Sequence, residues 1–282
     1  MSATSRPRRD SIRRTTAAAR LRWAVGAARL TLREPGDGLD RATGRVRRLI
    51  TGSAAPRSAY EADPEWERHL HERLGQPWPC ADTRELDTLW SEVTRSFATQ
   101  GLPMGRGAYG GWDDGDQGLA RAVWCLTRHL HAASVVETGV ARGITSRVIL
   151  EALERNGGGR LCSIDLPALD AAIHSEIGAA VPSDLRARWT YLNGTSRRRL
   201  PPLLAELGEI DLFVHDSSHT TRNLGFELER AWGALRRGAI VADDIERNEA
   251  FAHFTRLRPE VPAFVAAADD SGALFGILLK GI

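Results

Sequence analysis

Apolar residues in the second half of this chain recur in short blocks separated by amphipathic stretches of helical length. The blocks run from about Ser134 to Glu137, then "RLCSID" (160–165), "WTYLNG" (189–194), "IDLFVHD" (210–216) and "GAIVADD" (238–244). They are close to continuously apolar, the pattern of strands buried on both faces. Residues 143–155 and 168–180, "SRRRLPPLLAEL" and "NLGFELERAWGALRR" supply the intervening helices, and "RNEAFAHF" follows the fifth strand. Strands alternating with helices predict an α/β protein with a parallel sheet covered on both sides. Two more strands, near 262–267 and 273–280, have no helix between them. A parallel return needs a crossover of about a dozen residues, so this pair runs antiparallel or sits apart.

The first half reads differently. Trp66, Leu70 and Leu74, then Leu86, Leu89, Trp90, Val93 and Phe97, fall at helical spacing, as do Ala122, Leu126 and Leu130 in "LARAVWCLTRHL" (119–130). Between them "GLPMGRGAYGGWDDGDQG" (101–118) is too dense in glycine for a regular element and predicts a loop. Tyr109 and Trp112 are placed there as a lid hinged on glycines, or as a passive connection. Residues 51–60 read as a linker, and Leu21, Val25, Ala28 and Leu32 as one face of a short amphipathic helix. The resulting organisation is a disordered basic tail at 1–20, a helical N-terminal extension with lid and linker at 21–114, and a catalytic domain at 115–282.

Charge is uneven. Residues 1–50 hold 13 Arg and 4 acids, and the remainder 25 basic against 32 acidic residues. A net-acidic body argues against a polyanionic substrate, so nucleic acid is disfavoured as a partner. The basic cluster "TSRRRLPP" (195–202) reads as a solvated face. Lys280 is the only lysine, and this bias toward arginine weakens any inference from Arg alone. Cys80, Cys125 and Cys162 show no metal or redox spacing, and Cys125 and Cys162 read as core thiols. No apolar run approaches the ~20 residues of a transmembrane helix, and no secretory apolar region is seen. The expectation is a cytoplasmic, reduced protein without a transmembrane segment, its state as monomer or homo-oligomer left open.

The chemistry concentrates at strand ends. In "VVETGVARG" (135–143) a strand runs into Glu137, then Gly139, Ala141 and Gly143. Ligands of such sheets bind beyond the carboxyl ends of the strands, beside the first. Gly139 permits a sharp turn, and Ala141 and Gly143 keep the loop thin. A dinucleotide site offers its glycine loop to a pyrophosphate at a helix N-terminus. Glu137 would oppose that charge and suits a ligand carrying a cation. The loop also departs from G-x-G-x-x-G, with Ala141 and Ile144 at the second and third glycines.

"VVETGVARG" resembles the acidic-x-Gly-x-Gly-x-Gly motif of class I S-adenosylmethionine-dependent methyltransferases, with alanine at the middle glycine. The resemblance covers about 115–282. It implies a Rossmann-like seven-stranded, mostly parallel sheet with a terminal antiparallel hairpin and helices on both faces, preceded here by the helical N-terminal extension. It implies S-adenosylmethionine as cofactor, held by Glu137, Gly139, Ala141 and Gly143. Asp165, 28 residues after Glu137, would bind the ribose hydroxyls, and Asn193, Gly194 and Thr195 would lie near the adenine.

Downstream, "VHDSSHT" places His215, Asp216 and His219 after the fourth strand, and "VADDIERN" places Asp243, Asp244 and Asn248 after the fifth. Converging carboxylates repel unless a cation or protons compensate, and hard oxygen donors suit Mg²⁺. "HDSSH…DDIERN" resembles the branch of metal-dependent O-methyltransferases acting on antibiotic sugars and other small natural products. That resemblance makes Asp216, Asp243 and Asp244 metal ligands, His219 the base with Asp216 beside it, and a hydroxyl on a small molecule the methyl acceptor. One of Asp243 and Asp244 is also suited to capping the next helix. His215, inside its strand, reads as structural, and Asn248 as a polar helix residue or a ligand contact. Two other readings stay open: a nicotinamide-dependent oxidoreductase, and a non-catalytic scaffold retaining the fold.

Overall fold

The structure is a computed structural model. It describes residues 60–282 apart from Gly111, 167–170 and 269–271; ahead of residue 60 it describes only 24–29, 31–32 and Pro35, all helical. The expected basic tail at 1–20 and the linker at 51–59 lie outside the described residues.

A seven-stranded sheet forms the centre. Its strands are β3 (Ser134–Thr138), β4 (Arg160–Asp165), β5 (Trp189–Asn193), β6 (Ile210–His215), β7 (Leu235–Ala242), β8 (Ala263–Ala267) and β9 (Leu274–Lys280), in the order β5-β4-β3-β6-β7-β9-β8. β5, β4, β3, β6 and β7 pair in parallel. β9 runs antiparallel to both β7 and β8, as expected for two strands joined without a crossover helix. The order reverses at β3, whose neighbours are β4 and β6, and this opens a crevice at their carboxyl ends.

Successive strand residues face opposite sides, which sorts the apolar runs into two cores. Val135, Leu161, Leu212, Val214, Ala239 and Val241 pack under α1 (Trp66–Leu74), α3 (Gln117–His129) and α4 (Ile144–Arg155). Val136, Cys162, Ile164, Phe213, Ile240 and Ala242 pack under α5 (Ser196–Leu207), α6 (Thr221–Ala234) and α7 (Ala250–Arg256). Outside the first layer, α2 (Thr83–Thr99) lays Leu86, Leu89, Val93 and Phe97 over Trp124 and Val148. No helix among the described residues is long and apolar enough to cross a membrane.

Three local expectations need correction. The glycine-rich stretch contains a regular element, the antiparallel hairpin β1 (Gly105–Tyr109) and β2 (Trp112–Asp114). Aspartates take over part of its ladder: Gly105 N–H donates to Asp114 Oδ1 at 2.9 Å and Gly107 N–H to Asp113 Oδ1 at 2.7 Å. Of the helix expected over 168–180, the described part from 171 holds only a 3₁₀ turn at Ala171–Glu176, and Gly178, at φ +67°, then turns the chain past Trp189. The expected "RNEAFAHF" helix starts later, at Ala250. Asn248 is extended, and its side chain accepts from Ala250 N–H at 2.8 Å just ahead of the helix.

Candidate active site

The loop after β3 is packed against protein on both sides. Gly139, at φ +88°, passes so close to the β6 end that a Cβ would sit 1.8 Å from the Asp216 carbonyl oxygen. Gly143, at φ +76°, opens α4 and would place a Cβ 3.0 Å from Gly178 Cα. Ala141 holds φ +46°, a left-handed conformation that a β-carbon disfavours. Its N–H points to Asp165 Oδ2 at 3.4 Å. Gly194 N–H donates to the Asp165 carbonyl, and Asn193 sits beside Asp165 in register. Thr195 is the N-cap residue of α5. The β3, β4 and β5 ends thus bring the expected cofactor residues to one rim.

Glu137 lies fully buried beneath that rim. Ser146 and Ser163 donate to its Oε2 at 2.6 and 2.7 Å, and Oε1 has no partner. Burial pushes its pKa up to about 8 against the pull of the two serines, helped by Asp216 and Asp165. Two further buried polar atoms lack partners nearby, the hydroxyls of Tyr109 and Tyr191. Burial and the charge of Asp165 hold both phenols in the neutral form. Trp112, the other aromatic residue of that stretch, is 55% exposed.

Sequence reasoning passed over Arg142, which sits inside the quoted motif. Its guanidinium is 3% exposed and gathers the segments that roof the crevice. It donates to the carbonyls of Pro103 and Ala108, to Asp114 Oδ2 at 3.1 Å and to Glu176 Oε2 at 2.6 Å. Tyr109 and Phe97 flank it at 5.5 and 5.8 Å. The hairpin and the 3₁₀ turn are therefore tied to the glycine loop through one arginine. An arginine between two small residues in an Arg-rich chain gives no linear sign of this.

At the next two strand ends, Asp216, His219 and Asp243 place one ligand atom each within 4.8 Å of one another. The pairing of β6 with β7 brings them together, since Asp243 N–H donates to the His215 carbonyl. Asp244 turns away from this set, at φ +51°, and binds His219 Nδ1 at 2.5 Å and Arg247 Nε at 2.9 Å. His219 Nε2 is buried without a hydrogen bond and lies 3.6 Å from Asp216 Oδ1. Burial opposes charge on His219, but the Asp216 and Asp244 carboxylates win and raise its pKa to about 10. Asp243 is raised well above the carboxylate range by burial and by Asp216 and Asp244. Asp244 is lowered in spite of burial, by His219 and Arg247. Asn248 holds the loop from below, donating to the His219 carbonyl at 3.4 Å.

A second residue missed from sequence is Glu227, read only as part of an amphipathic helix. It is fully buried, accepting from Thr138 Oγ1 and His215 Nδ1 at 2.6 Å, Ser217 Oγ at 2.9 Å and Asn223 Nδ2 at 2.8 Å. This network fixes the 215–223 loop that presents Asp216 and His219. His215 is thus structural, as its place in the strand suggested.

Comparison with known proteins gives three kinds of result. Residues 136–245 match a family of methyltransferase domains. No curated protein matches the chain in sequence. Among solved structures, a candidate O-methyltransferase from Klebsiella pneumoniae superposes with TM-score 0.50 at 16% identity, over 76% of this chain and 96% of that one. The O-methyltransferase TomG from Streptomyces achromogenes, involved in tomaymycin synthesis and solved with S-adenosylmethionine, gives 0.50 at 16% identity over 68% and 90%. A candidate caffeoyl-CoA O-methyltransferase from Staphylococcus aureus gives 0.50 at 11% identity over 77% and 98%. At these identities the likeness is one of fold.

Proposed function

We infer that this chain, whose residues 136–245 match a family of methyltransferase domains, is an S-adenosylmethionine-dependent methyltransferase and that its reaction is O-methylation of a small hydroxylated molecule, a sugar or secondary metabolite. The observation that carries this reading is the meeting of Asp216, His219 and Asp243 beside the glycine loop. Methyl transfer from a sulfonium is an in-line displacement that, with a hydroxyl acceptor, also requires loss of a proton. A strand-end site with two acids and an imidazole next to the donor crevice supplies groups for that.

The crevice suits the cofactor in its unpaired atoms. Glu137 Oε1 and the Tyr109 and Tyr191 hydroxyls are buried polar atoms without protein partners, a costly state that a polar, cationic ligand relieves. In this reading Asp165 binds the ribose hydroxyls, and Asn193, Gly194 and Thr195 lie against the adenine edge. A diphosphate would meet Glu137 and Asp165 instead of a cationic rim, which speaks against a nicotinamide dinucleotide.

The second set suits a divalent cation such as Mg²⁺, with Asp216 and Asp243 as oxygen ligands and His219 Nε2 facing the same point. When bound, the cation would lower the pKa of a coordinated hydroxyl and hold the acceptor in place. Asp244 belongs behind the set, orienting His219 through Nδ1. Without a cation, His219 keeps its proton up to about pH 10 and is a poor base near neutrality. A cation held at Asp216 would offset part of the charge that keeps His219 protonated, and His219, oriented by Asp244, would then be the group to accept the hydroxyl proton.

Calorimetric titration with S-adenosylmethionine and its demethylated product tests the donor: wild type binds both, and Glu137→Ala binds neither well. Failure of wild type to bind removes the reading. Chelator added during turnover tests the cation, since unchanged rates would take it out of the mechanism.

A further inference from the structure

Away from the strand-end site, two cysteines and two histidines converge where the N-terminal helices meet the sheet domain. We propose that His71, Cys80, Cys125 and His129 form a structural Zn²⁺ site that pins the α1 region to α3. It is independent of the methyl-transfer reading.

The four residues come from three places: His71 from the last turn of α1, Cys80 from the connection to α2, and Cys125 with His129 from α3. Their spacing in the chain matches no finger or ribbon pattern, yet one atom of each lies within 4.8 Å of all the others. On α3 the i, i+4 spacing puts Cys125 and His129 on one face, a turn apart. His129 Nε2 and Cys80 Sγ are 3.3 Å apart, and the two imidazoles stand nearly perpendicular with centroids 5.1 Å apart. Zinc bonds of ~2.3 Å to sulfur and ~2.0 Å to nitrogen put neighbouring tetrahedral ligands roughly 3.3–3.8 Å apart. The cluster therefore needs to contract by about 1.5 Å at most.

His71 carries the second, independent sign. It is fully buried, and its Nδ1 faces the Glu67 carbonyl at 2.6 Å, so that nitrogen is the donor. The bare lone pair is then on Nε2, which is buried and has no hydrogen-bond partner. An imidazole whose far nitrogen is fixed by a carbonyl while the near one points at two thiols is the arrangement of an oriented metal ligand. Cys80 and Cys125 are buried too, and the Cys80 carbonyl is taken up by Thr83. Two thiolates balance a dication, so the filled site is neutral in its buried setting. A Cys80–Cys125 disulfide would leave His71 Nε2 unpaired and give the histidines no part. Soft thiolate and imidazole donors select Zn²⁺ over Mg²⁺, which separates this set chemically from Asp216 and Asp243.

The test uses the full chain, purified under reducing conditions and stripped of metal, then titrated with Zn²⁺ or Co²⁺. We expect about one equivalent of tightly held Zn²⁺ per chain. Co²⁺ should give intense tetrahedral visible bands and a thiolate charge-transfer band, both displaced by Zn²⁺. The charge-transfer band should survive Asp216→Ala with Asp243→Ala and disappear in Cys125→Ser. Should Cys125→Ser fail to fold, wild type still decides: Zn²⁺ should protect two thiols from a thiol reagent, and a chelator should expose them. A reduced wild type with no charge-transfer band, a band unchanged in folded Cys125→Ser, or a Cys80–Cys125 disulfide that persists in the chain isolated under reducing conditions would each overturn the site.

Discussion

Glu137 at the β3 end and Glu227 behind the β6 end are both fully buried, yet they are driven to opposite charge states. Glu137 meets two hydroxyls and no cation, and burial lifts its pKa to about 8. Glu227 suffers the same burial, but the charge of His215 and hydrogen bonds from His215, Ser196 and Thr138 take it down to about 2. Depth therefore does not set the ionisation of a buried carboxylate; its partners do. At the β6 end the buried acid is paired by the protein. The β3 end is left one cation short, at the place where the proposed donor would bring a positively charged sulfonium and ammonium.

Glu227→Gln breaks the comparison hardest. It replaces the carboxylate that pairs with buried His215 and accepts from Thr138, Ser217 and Asn223, and a buried group left without its partner costs roughly 1–3 kcal/mol. Urea denaturation near neutral pH should show a loss of that size, and wild-type stability would mean the pair is not structural. The equivalent change at the other end, Glu137→Gln, should leave stability at pH 8 unchanged or higher, while affinity for S-adenosylmethionine falls about tenfold, or ~1.4 kcal/mol. Calorimetry reads both halves, and equal affinity would detach Glu137 from the donor.

The two acids also predict opposite pH slopes. Glu137 is raised above its unfolded value, so between about pH 4.5 and 8 the folded state holds a proton that the unfolded state lacks. Stability then falls as pH rises through that window, by at most about 1.4 kcal/mol per pH unit for one group. Glu227 is depressed, so its contribution is present above pH 4.5 and is lost as pH falls toward 2. Denaturation profiles should lose the upper slope in Glu137→Gln and the acid limb in Glu227→Gln. If the wild-type upper slope survives in Glu137→Gln, the high pKa is misassigned. The smallest effect concerns the β3 loop alone. Ala141→Gly relieves a left-handed alanine by about 1 kcal/mol, less the entropy glycine adds to the unfolded chain. Thermal melting should show a slight rise, and a clear fall would mean the methyl group packs.

Legibility from sequence followed range. Glu137, Gly139 and Gly143 were visible because strand, turn and helix start lie within nine residues, and local backbone needs write themselves into local residue types. The convergence of 216–219 with 243–244 was visible as well, because parallel strands in a covered sheet must align their carboxyl ends. Arg142 and Glu227 were not. Arg142 acts through Pro103, Asp114 and Glu176, and Glu227 through His215 and Thr138, at separations where spacing carries no signal. The hairpin at 105–114 escaped for another reason: side-chain carboxylates, rather than strand-forming residues, satisfy part of its backbone.

The sequence alone determined the α/β alternation, the antiparallel closing pair and the acid-and-glycine strand end, since hydrophobic period and backbone sterics act over a few residues. Tertiary structure alone decided which buried acid is charged and that Asp243 meets Asp216 and His219 while Asp244 pairs with His219 Nδ1. It alone also drew His71 and Cys80 to Cys125 and His129. Each of those depends on the distance between atoms far apart in the chain, and electrostatic and coordination energies are set by that distance.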